Sequence, residues 1–433
     1  KSNIGHLESG AGIAGLIKTA LALHHRQIPR NLHFETPAPK IDFTGLRVPQ
    51  SLEPWPENAG APRLAGVNSF GFGGSNAHAV LAEAPRVTES SPATPDVDHR
   101  ASLLPLSARS EGALTALAVS FVDLLRGPSA VPFRDLCYTA GARRTHHAHR
   151  MAVIADSAAA AADALEACLR HERQERAVLG RASARTSMVF VFTGMGPQWL
   201  GMGRELLAHD LVFREAVEQC DRLFRAHSDI SPLAELTAVE HCSRLDEDRT
   251  AQIALFSIQV GLVTLWRSWG IEPDAIAGHS AGEMAAAWAA GALSLEDAVC
   301  VTFHRSRLQH RLHGRGRMLA AGIAPEEAEE LVRAHDGVVW LAAVNGPRSI
   351  TLSGDVTALT DIAEALGRSG TFFRLLNGQV PYHSGLLDDS RDEFLDVLSG
   401  LRPRATRRPL WSTVSGGLVQ GTELSAAYWY RNL

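Results

Sequence analysis

A Gly-x-Ser-x-Gly turn, Gly278-His279-Ser280-Ala281-Gly282, constrains the fold of this chain more than any other stretch. A short, mostly apolar run precedes it, and the following residues 284–290 are mostly alanine, a strong helix former. A strand, a tight turn and a helix in this order predict a nucleophile elbow. Its glycines are required because a Cβ at either position would collide with the crowded turn. The elbow exposes the Ser280 hydroxyl and leaves free N–H groups behind it for an oxyanion.

Length and charge narrow the function classes. The 433 residues are enough for two or three domains. The net charge of −5 gives no sign of a basic surface that would bind nucleic acid or acidic lipid. No uncharged apolar run reaches the ~18 residues that a membrane-spanning helix needs. We therefore predict that the chain binds neither nucleic acid nor membranes.

The cysteines and the first residues indicate the cellular setting. The five cysteines are scattered and lack the spacing of metal ligands. Such cysteines are typical of reduced thiols, so we predict a cytoplasmic protein without a metal site. Residues 1–6 lack both a secretory signal and an initiator Met, which predicts that the chain begins inside a longer polypeptide.

Residues 1–85 contain two Gly-rich motifs, Ser2–Glu8 and Asn68–His78. Apolar residues between them recur at helical spacing and predict an amphipathic helix: Ile13, Leu16, Ile17 and Leu21. Both motifs resemble the C-terminal part of a type I polyketide synthase ketosynthase, which has a thiolase-like fold. The resemblance implies that Lys1 and His6 are active-site residues of that enzyme. Its nucleophilic cysteine and other catalytic histidine lie upstream of this stretch, so the piece is not expected to condense anything alone.

Residues 86–185 are predicted to form a linker followed by a small α/β domain. Residues 85–105 are polar and rich in Pro, Ser and Thr, as in 90–95, which indicates an extended linker. Strands are predicted at 103–106 and 151–155, and helices at 110–125 and 157–169. The cluster of His146, His147 and His149 lies among arginines and favours a solvated basic loop over a metal site. The resembled synthases have a linker domain here.

Residues 186–433 are predicted to form the domain that carries Ser280. A buried strand at 188–192 runs into the turn Thr193–Trp199, and a helix is predicted at 253–266. Residues 316–378 show the order β-α-β-β-α-β of a ferredoxin-like subdomain. We predict that this subdomain is inserted so that its exit returns Pro381–Ser384 to Ser280.

A base must remove the proton of Ser280, and histidine is the usual base near neutral pH. His279 is predicted to pack elsewhere, while His304 and His310 fall in a charged helix. His383, after the return loop, is our choice. If His383 is the general base, activity is predicted to rise with pH through a pKa in the ordinary histidine range.

Arg305 is the residue that separates two kinds of serine enzyme. An arginine on a helix is usually at the surface. If it faces the pocket, its planar guanidinium can hold a carboxylate through two parallel hydrogen bonds. Such an enzyme would prefer acyl groups that carry a free carboxylate.

In order along the chain, the Gly194–Gln198 turn, Gln252, the Ser280 elbow, Arg305, Asn345-Gly346-Pro347 and Tyr382-His383-Ser384 resemble a malonyl-CoA:acyl-carrier-protein transacylase. More closely, residues 186–433 look like the acyltransferase domain of a type I polyketide synthase. This implies an α/β-hydrolase-like core with the inserted ferredoxin-like subdomain. It also implies malonyl-CoA as substrate, no cofactor bound in this chain, and two partners: an acyl carrier protein bearing phosphopantetheine, and the rest of the synthase.

The resemblance also implies a role for each matching residue. Ser280 is acylated, His383 is its base and Arg305 grips the malonyl carboxylate. Backbone N–H groups of Met195 and Ala281 form the oxyanion hole. The remaining predicted substrate-binding residues are Gln252, Asn345 and Tyr382.

The chain departs from the family pattern at several points. Met195 stands where the family usually has Gln, which makes the pocket wall less polar but leaves the backbone donor. The chain ends at Leu433 where the family continues, so part of the shell that orients His383 is expected to be missing. A bulky aromatic at Tyr382 goes with malonyl and a small serine with methylmalonyl, because a ring fills the space of an α-methyl group. Ala281 is smaller than the residue in either usual pattern, so malonyl is favoured by Tyr382 alone.

Two other functions compete with this prediction. A plain serine carboxylesterase or thioesterase would use Asp336, Asp355 or Asp361 as the third member of a triad. A non-catalytic docking scaffold of a synthase is suggested by Met195 and by the partial ketosynthase.

Overall fold

The computed structural model describes residues 1–57, 61–85, 101–128, 131–172, 174–183 and 186–433. The chain forms two compact units, Lys1–Ala182 and Ser183–Leu433. Of the extended linker predicted at 85–105, residues 86–100 lie outside the described residues, and a strand begins at Ser102. In the described ranges, no helix combines the length and the apolar character needed to cross a membrane.

The first unit begins with one long helix against a hairpin. The elements are α1 (Ala11–His25), β1 (Gln27–Ile28), β2 (Glu53–Pro54), β3 (Leu64–Phe70) and β4 (Asn76–Ala82). The predicted helix forms, and Ile13, Ile17 and Leu21 of its apolar face are more than half exposed. The helix instead contacts β3 through small residues. A Cβ added to Gly12 would lie 2.7 Å from Oγ of Ser69.

The rest of the first unit is a three-stranded antiparallel sheet with three helices. The strands, in sheet order, are β5 (Ser102–Ala108), β6 (His149–Ala155) and β7 (Ala177–Arg181). The helices are α2 (Glu111–Arg126), α3 (Phe133–Ala142) and α4 (Ala158–Leu169). Ser110 and Ser157 cap α2 and α4, since each hydroxyl accepts a backbone N–H at 3.3 Å. The predicted strands and helices of this region are confirmed.

The second unit is built on a four-stranded sheet in the order β15-β14-β9-β8. Its strands are β8 (Val189–Phe192), β9 (Ala275–Gly278), β14 (Leu410–Ser412) and β15 (Gly417–Val419). β8, β9 and β14 are parallel, and β15 is an antiparallel edge strand. The carboxyl ends of the parallel strands therefore meet at one edge, where open α/β sheets bind their ligands.

Helices surround this sheet and bury its central strand. In chain order they are α5 (Arg204–His209), α6 (Leu211–Arg225), α7 (Pro232–Thr237), α8 (Asp248–Ser268), α9 (Glu283–Ala289), α10 (Leu295–His310), α13 (Arg391–Val397) and α14 (Ala426–Asn432). The largest buried side chain, Trp429, belongs to the short last helix. Residues near the end of the chain are thus part of the core.

The inserted subdomain has the predicted β-α-β-β-α-β order. Its elements are β10 (Arg317–Ala321), α11 (Pro325–Ala334), β11 (Val339–Gly346), β12 (Ser349–Gly354), α12 (Val356–Arg368) and β13 (Phe373–Leu375). The sheet order β11-β12-β10-β13 is antiparallel throughout and is that of a ferredoxin-like fold. Its core is separate from the main one. The chain leaves β13 and reaches His383 within eight residues.

Candidate active site

The predicted elbow at Ser280 is confirmed. Ser280 follows β9 in the left-handed region, with φ of +51°. A Cβ on Gly278 would lie 2.6 Å from Cα of Glu283, and one on Gly282 would overlap the backbone of Phe192. The two glycines thus let β8, β9 and α9 approach closely enough to hold the serine in a strained backbone conformation.

His383 contacts the serine. Its Nε2 lies 2.9 Å from Oγ of Ser280, although 103 positions separate the two residues. His383 also has a left-handed backbone, with φ of +58°, in a turn where the hydroxyl of Ser384 donates to the carbonyl of Pro381 at 2.7 Å. The structure therefore brings together the pair chosen from the sequence.

Backbone groups of Asn432 and Leu433 lie close enough to the His383 ring to favour its charged form. The expectation that part of the shell orienting His383 is missing stays a prediction. The three aspartates considered as triad members lie in the inserted subdomain. Asp355 caps α12, accepting the N–H of Thr357 at 2.9 Å. The orienting group of His383 is therefore not the carboxylate of an esterase triad.

Burial, followed by the nearby charge of Arg305, lowers the pKa of His383 to about 3. The pKa falls because burial and the neighbouring guanidinium both destabilise the charged form of the imidazole. A neutral imidazole at neutral pH is the form that can accept a proton from Ser280.

Arg305 lies behind the serine and is only 1% exposed. Its Nη2 donates to Oγ of Ser280 at 2.9 Å. Its remaining donors contact neutral amides: Nη1 donates to Gln252 at 2.6 Å and to Gln309 at 3.0 Å, and Nε donates to Asn432 at 2.9 Å. The guanidinium is thus rigidly held with no carboxylate among these partners.

Burial lowers the pKa of Arg305 to about 10, which leaves it charged at neutral pH. The buried carboxylate of Glu283 is linked to it through Asn432. The Nδ2 of Asn432 donates to Glu283 at 2.5 Å and to the carbonyl of Ser280 at 3.3 Å. Glu283 also accepts the N–H of Thr413 at 2.8 Å. The carboxylate of Glu283 therefore balances the charge of Arg305 without contacting it, and the guanidinium remains available to an anionic ligand.

Sequence reasoning missed three members of this network: Glu283, Gln309 and Asn432. Glu283 directly follows the elbow, and Gln309 lies one helical turn after Arg305, so spacing could have suggested both. Asn432 had no local signal, because it reaches the site only through the packing of α14.

The two predicted oxyanion donors belong to loops that lie against each other. A Cβ on Gly194 would be 3.0 Å from the carbonyl of His279, so the turn after β8 touches the elbow and Met195 follows at that contact. The N–H of Gly196 donates to Oε1 of Gln198 at 2.8 Å, which fixes the turn. The roles of Met195 and Ala281 remain predictions.

A cleft of about 670 Å³ opens at Ser280 and His383. Asn345 lines it from β11, and its Nδ2 donates to Thr351 at 3.2 Å. His279 also lines it and is exposed, so the prediction that His279 packs in the core is wrong. Arg305, Gln252 and Tyr382 are not among the residues that line it. Tyr382 is buried, and its hydroxyl lies 2.5 Å from Oδ1 of Asp248.

Several predicted residues do not contribute to this site. Lys1 and His6 belong to the first unit, where both are exposed and His6 accepts the N–H of Glu8 at 2.9 Å. His304 and His310 lie on α10, as expected. His146 is an exposed loop residue whose ring contacts the carbonyl of Gly141. All five cysteines are free thiols.

Three family models match successive parts of the chain. Residues 1–35 match the beta-ketoacyl synthase C-terminal domain, and residues 37–154 match the ketoacyl-synthetase C-terminal extension. Residues 189–433 match the acyl transferase domain.

Curated relatives are long synthases. The spectinabilin polyketide synthase system protein NorA of Streptomyces orinoci is 40% identical over the whole chain, which spans 23% of that protein. Erythronolide synthase EryA3 of Saccharopolyspora erythraea is 37% identical, with 14% of its length covered. The chain thus spans less than a quarter of either relative.

The solved structures that this chain resembles are acyltransferase domains. The acyltransferase domain from module 8 of the salinomycin polyketide synthase has a TM-score of 0.71 at 34% identity, covering 77% of this chain and 79% of that one. The acyltransferase domain of SpnD, in complex with 2-(pent-4-yn-1-yl)malonyl, has a TM-score of 0.68 at 28% identity, covering 77% and 78%.

Proposed function

Because the chain belongs to the acyl transferase domain family of polyketide synthases, with C-terminal ketosynthase pieces before that domain, we propose that it transfers a malonyl unit. The donor is coenzyme A, and the acceptor is the phosphopantetheine thiol of an acyl carrier protein. The observation that carries this proposal is the position of the Ser280 hydroxyl, 2.9 Å from both His383 Nε2 and Arg305 Nη2.

The first half-reaction is acylation of the serine. Oγ of Ser280 attacks the thioester carbonyl carbon while its proton moves to Nε2 of His383. The N–H groups of Met195 and Ala281 stabilise the oxyanion of the tetrahedral intermediate. The carbon–sulfur bond then breaks, and the coenzyme A sulfur leaves with the proton from His383.

The second half-reaction reverses these steps on a new thiol. The phosphopantetheine thiol gives its proton to His383 and attacks the seryl ester. The ester bond to Ser280 breaks, and the serine oxygen regains the proton. No cofactor bound in this chain is needed, since the phosphopantetheine arrives on the carrier protein.

Arg305 selects the acyl group. A malonyl ester on Ser280 carries a free carboxylate within reach of Nη2, and the guanidinium offers a planar pair of donors. SpnD, a relative at 28% identity, was solved in complex with a substituted malonyl. A malonyl carboxylate would replace the serine hydroxyl as the partner of Nη2, whereas an acetyl group offers no such acceptor.

Malonyl is proposed over methylmalonyl because the aromatic ring of Tyr382 precedes His383. An added methyl group beside a buried ring costs about 1–3 kcal/mol through overpacking. The other proposed contacts to the substrate are Gln252, which holds Arg305, and Asn345, which lines the cleft. The acyl carrier protein and the remaining synthase domains are the proposed partners, and a cytoplasmic location stays a prediction.

Intact-mass spectrometry tests the proposal. The chain is mixed with malonyl-, methylmalonyl- or acetyl-CoA, and then with holo carrier protein. We expect a malonyl adduct of the chain that moves to the carrier protein and is absent in Ser280→Ala. Hydrolysis without transfer would identify an esterase, and no adduct with any donor would identify a scaffold.

A further inference from the structure

Asp248 is the first residue of α8, and its buried carboxylate contacts Tyr382. The phenol hydroxyl donates to Oδ1 at 2.5 Å, and the two residues are 6% and 8% exposed. One helical turn later, Gln252 accepts a hydrogen bond from Arg305. The same helix face thus holds both the ring proposed to limit the acyl pocket and the arginine proposed to hold the acyl carboxylate.

The second oxygen of Asp248 is also occupied. Oδ2 lies 3.0 Å from Nδ1 of His313, so the carboxylate is held from two sides. Burial, followed by the charge of Asp248, raises the pKa of Tyr382 far above its usual range. The phenol therefore stays protonated and remains a hydrogen-bond donor at any pH at which the enzyme works.

We infer that Asp248 is a positioning residue that fixes the ring of Tyr382 and thereby sets the discrimination between malonyl and methylmalonyl groups. A ring attached only at its Cβ end can turn about two torsions and give way to an added methyl group. A hydrogen bond at the far end of the ring removes that freedom. This inference rests on the proposed function, because it concerns the acyl group that Ser280 receives.

The experiment compares four variants with the wild-type chain: Asp248→Ala, Asp248→Asn, Tyr382→Phe and the double variant Asp248→Ala/Tyr382→Phe. The measured quantity is the ratio of kcat/KM for malonyl-CoA to that for methylmalonyl-CoA. Melting temperature is recorded for each variant. Asp221→Ala is the matched control, since Asp221 is an equally buried aspartate on α6 that accepts the N–H of Leu233.

A chelator is present throughout. The donor atoms of Asp248, His310 and His313 lie within 4.8 Å of one another and could collect a stray divalent ion.

We expect Asp248→Ala and Tyr382→Phe each to change the ratio by about tenfold towards methylmalonyl, chiefly through faster methylmalonyl transfer. The double variant should change it no further, because both substitutions remove the same bond. Asp248→Asn should keep the ratio, since its amide oxygen can still accept from the phenol. Asp221→Ala should lower the melting temperature but leave the ratio unchanged.

An unchanged ratio in Asp248→Ala, or an additive change in the double variant, would overturn the inference. So would an Asp221→Ala effect of equal size, because it would show a general response to destabilisation. The proposed function fails separately, if the wild type forms no acyl adduct or prefers methylmalonyl. In the latter case the tenfold change still decides whether Asp248 acts through Tyr382.

Discussion

Arg305 and Ser280 are hydrogen-bonded directly, with Nη2 of the arginine donating to Oγ of the serine at 2.9 Å. The serine hydroxyl therefore accepts from a cation while its own proton is directed to His383. This arrangement favours negative charge on Oγ as the proton leaves. In the proposed acyl-enzyme Oγ is an ester oxygen and a poorer acceptor, which would free Nη2 to pair with the proposed malonyl carboxylate.

Replacing Ser280 with alanine should abolish acyl transfer. The proposed covalent intermediate requires an oxygen at this position, whose partners in the structure are His383 and Arg305. Incubation with malonyl-CoA followed by intact-mass measurement should show no adduct on the variant. A malonyl adduct that persists on Ser280→Ala would place the nucleophile elsewhere.

The elbow and the inserted subdomain could be predicted from the sequence because both depend on local signals. Glycines flank Ser280, and period-2 and period-3.6 patterns alternate through residues 317–375. His383 was found because the subdomain had to return the chain to the serine. These features need only the order of elements along the chain.

The surroundings of Arg305 and His383 could not be predicted in the same way. Asn432 and Leu433 approach His383 from 49 and 50 positions later, and the Asn432 side chain contacts Arg305. Only the packing of α14, anchored by Trp429, brings them there.

The pH dependence of acylation should differ from that of an ordinary histidine base. His383 must be neutral to accept a proton, and it is neutral above its pKa, which burial lowers to about 3. Lowering the pKa extends the active range towards acid, so kcat/KM should stay nearly constant from about pH 8 down to about pH 5. This expectation differs from the rise through the ordinary histidine range that the sequence predicts.

Quenched-flow measurement of adduct formation gives this profile directly. His383→Ala should slow acylation by about 10²–10⁴ at every pH, the usual contribution of a positioned base. A midpoint near 6.5 in the wild type would contradict the lowered pKa. A larger loss in His279→Ala, with the fold intact, would show that the wrong histidine was chosen.

Asn432 should support both stability and carboxylate selection. Its side chain joins Nε of Arg305 to the carboxylate of Glu283. Asn432→Ala leaves both charged groups short of a partner, at a cost of about 1–3 kcal/mol for each unsatisfied buried group. A domain of this size loses roughly 2–4 °C in melting temperature per kcal/mol, so we expect a decrease of about 5 °C or more.

Asn432→Asp tests the electrostatic part of this role. It is combined with Glu283→Gln, because the Glu283 carboxylate lies 2.5 Å from the same side chain and would otherwise repel the new one. A carboxylate 2.9 Å from Nε would then neutralise Arg305, so malonyl-CoA should lose more kcat/KM than acetyl-CoA. The comparison with Asn432→Ala separates charge from destabilisation, since alanine should reduce the two donors more evenly. Identical malonyl-to-acetyl ratios in the two variants would show that Asn432 acts only on the fold.

Arg305 gives the sharpest test, because it distinguishes this enzyme from a serine esterase. Removing one partner of a buried charge pair typically costs ~2–5 kcal/mol, partly because the carboxylate is left unpaired. At ~1.4 kcal/mol per tenfold, Arg305→Ala should lower malonyl transfer by roughly two to three orders of magnitude. Acetyl-CoA has no carboxylate to hold and should lose little, so the malonyl-to-acetyl preference should collapse or invert.

Two further variants show whether this loss is specific to the guanidinium of Arg305. Arg305→Lys should recover only part of the malonyl activity, because an ammonium lacks the planar pair of donors. Arg307→Ala is the matched control, since Arg307 lies on the same helix but pairs with Glu393 at 2.7 Å, outside the network around Ser280. It should leave the malonyl-to-acetyl ratio unchanged. Equal losses for both donors in Arg305→Ala would mean that Arg305 supports the fold and does not bind the malonyl carboxylate.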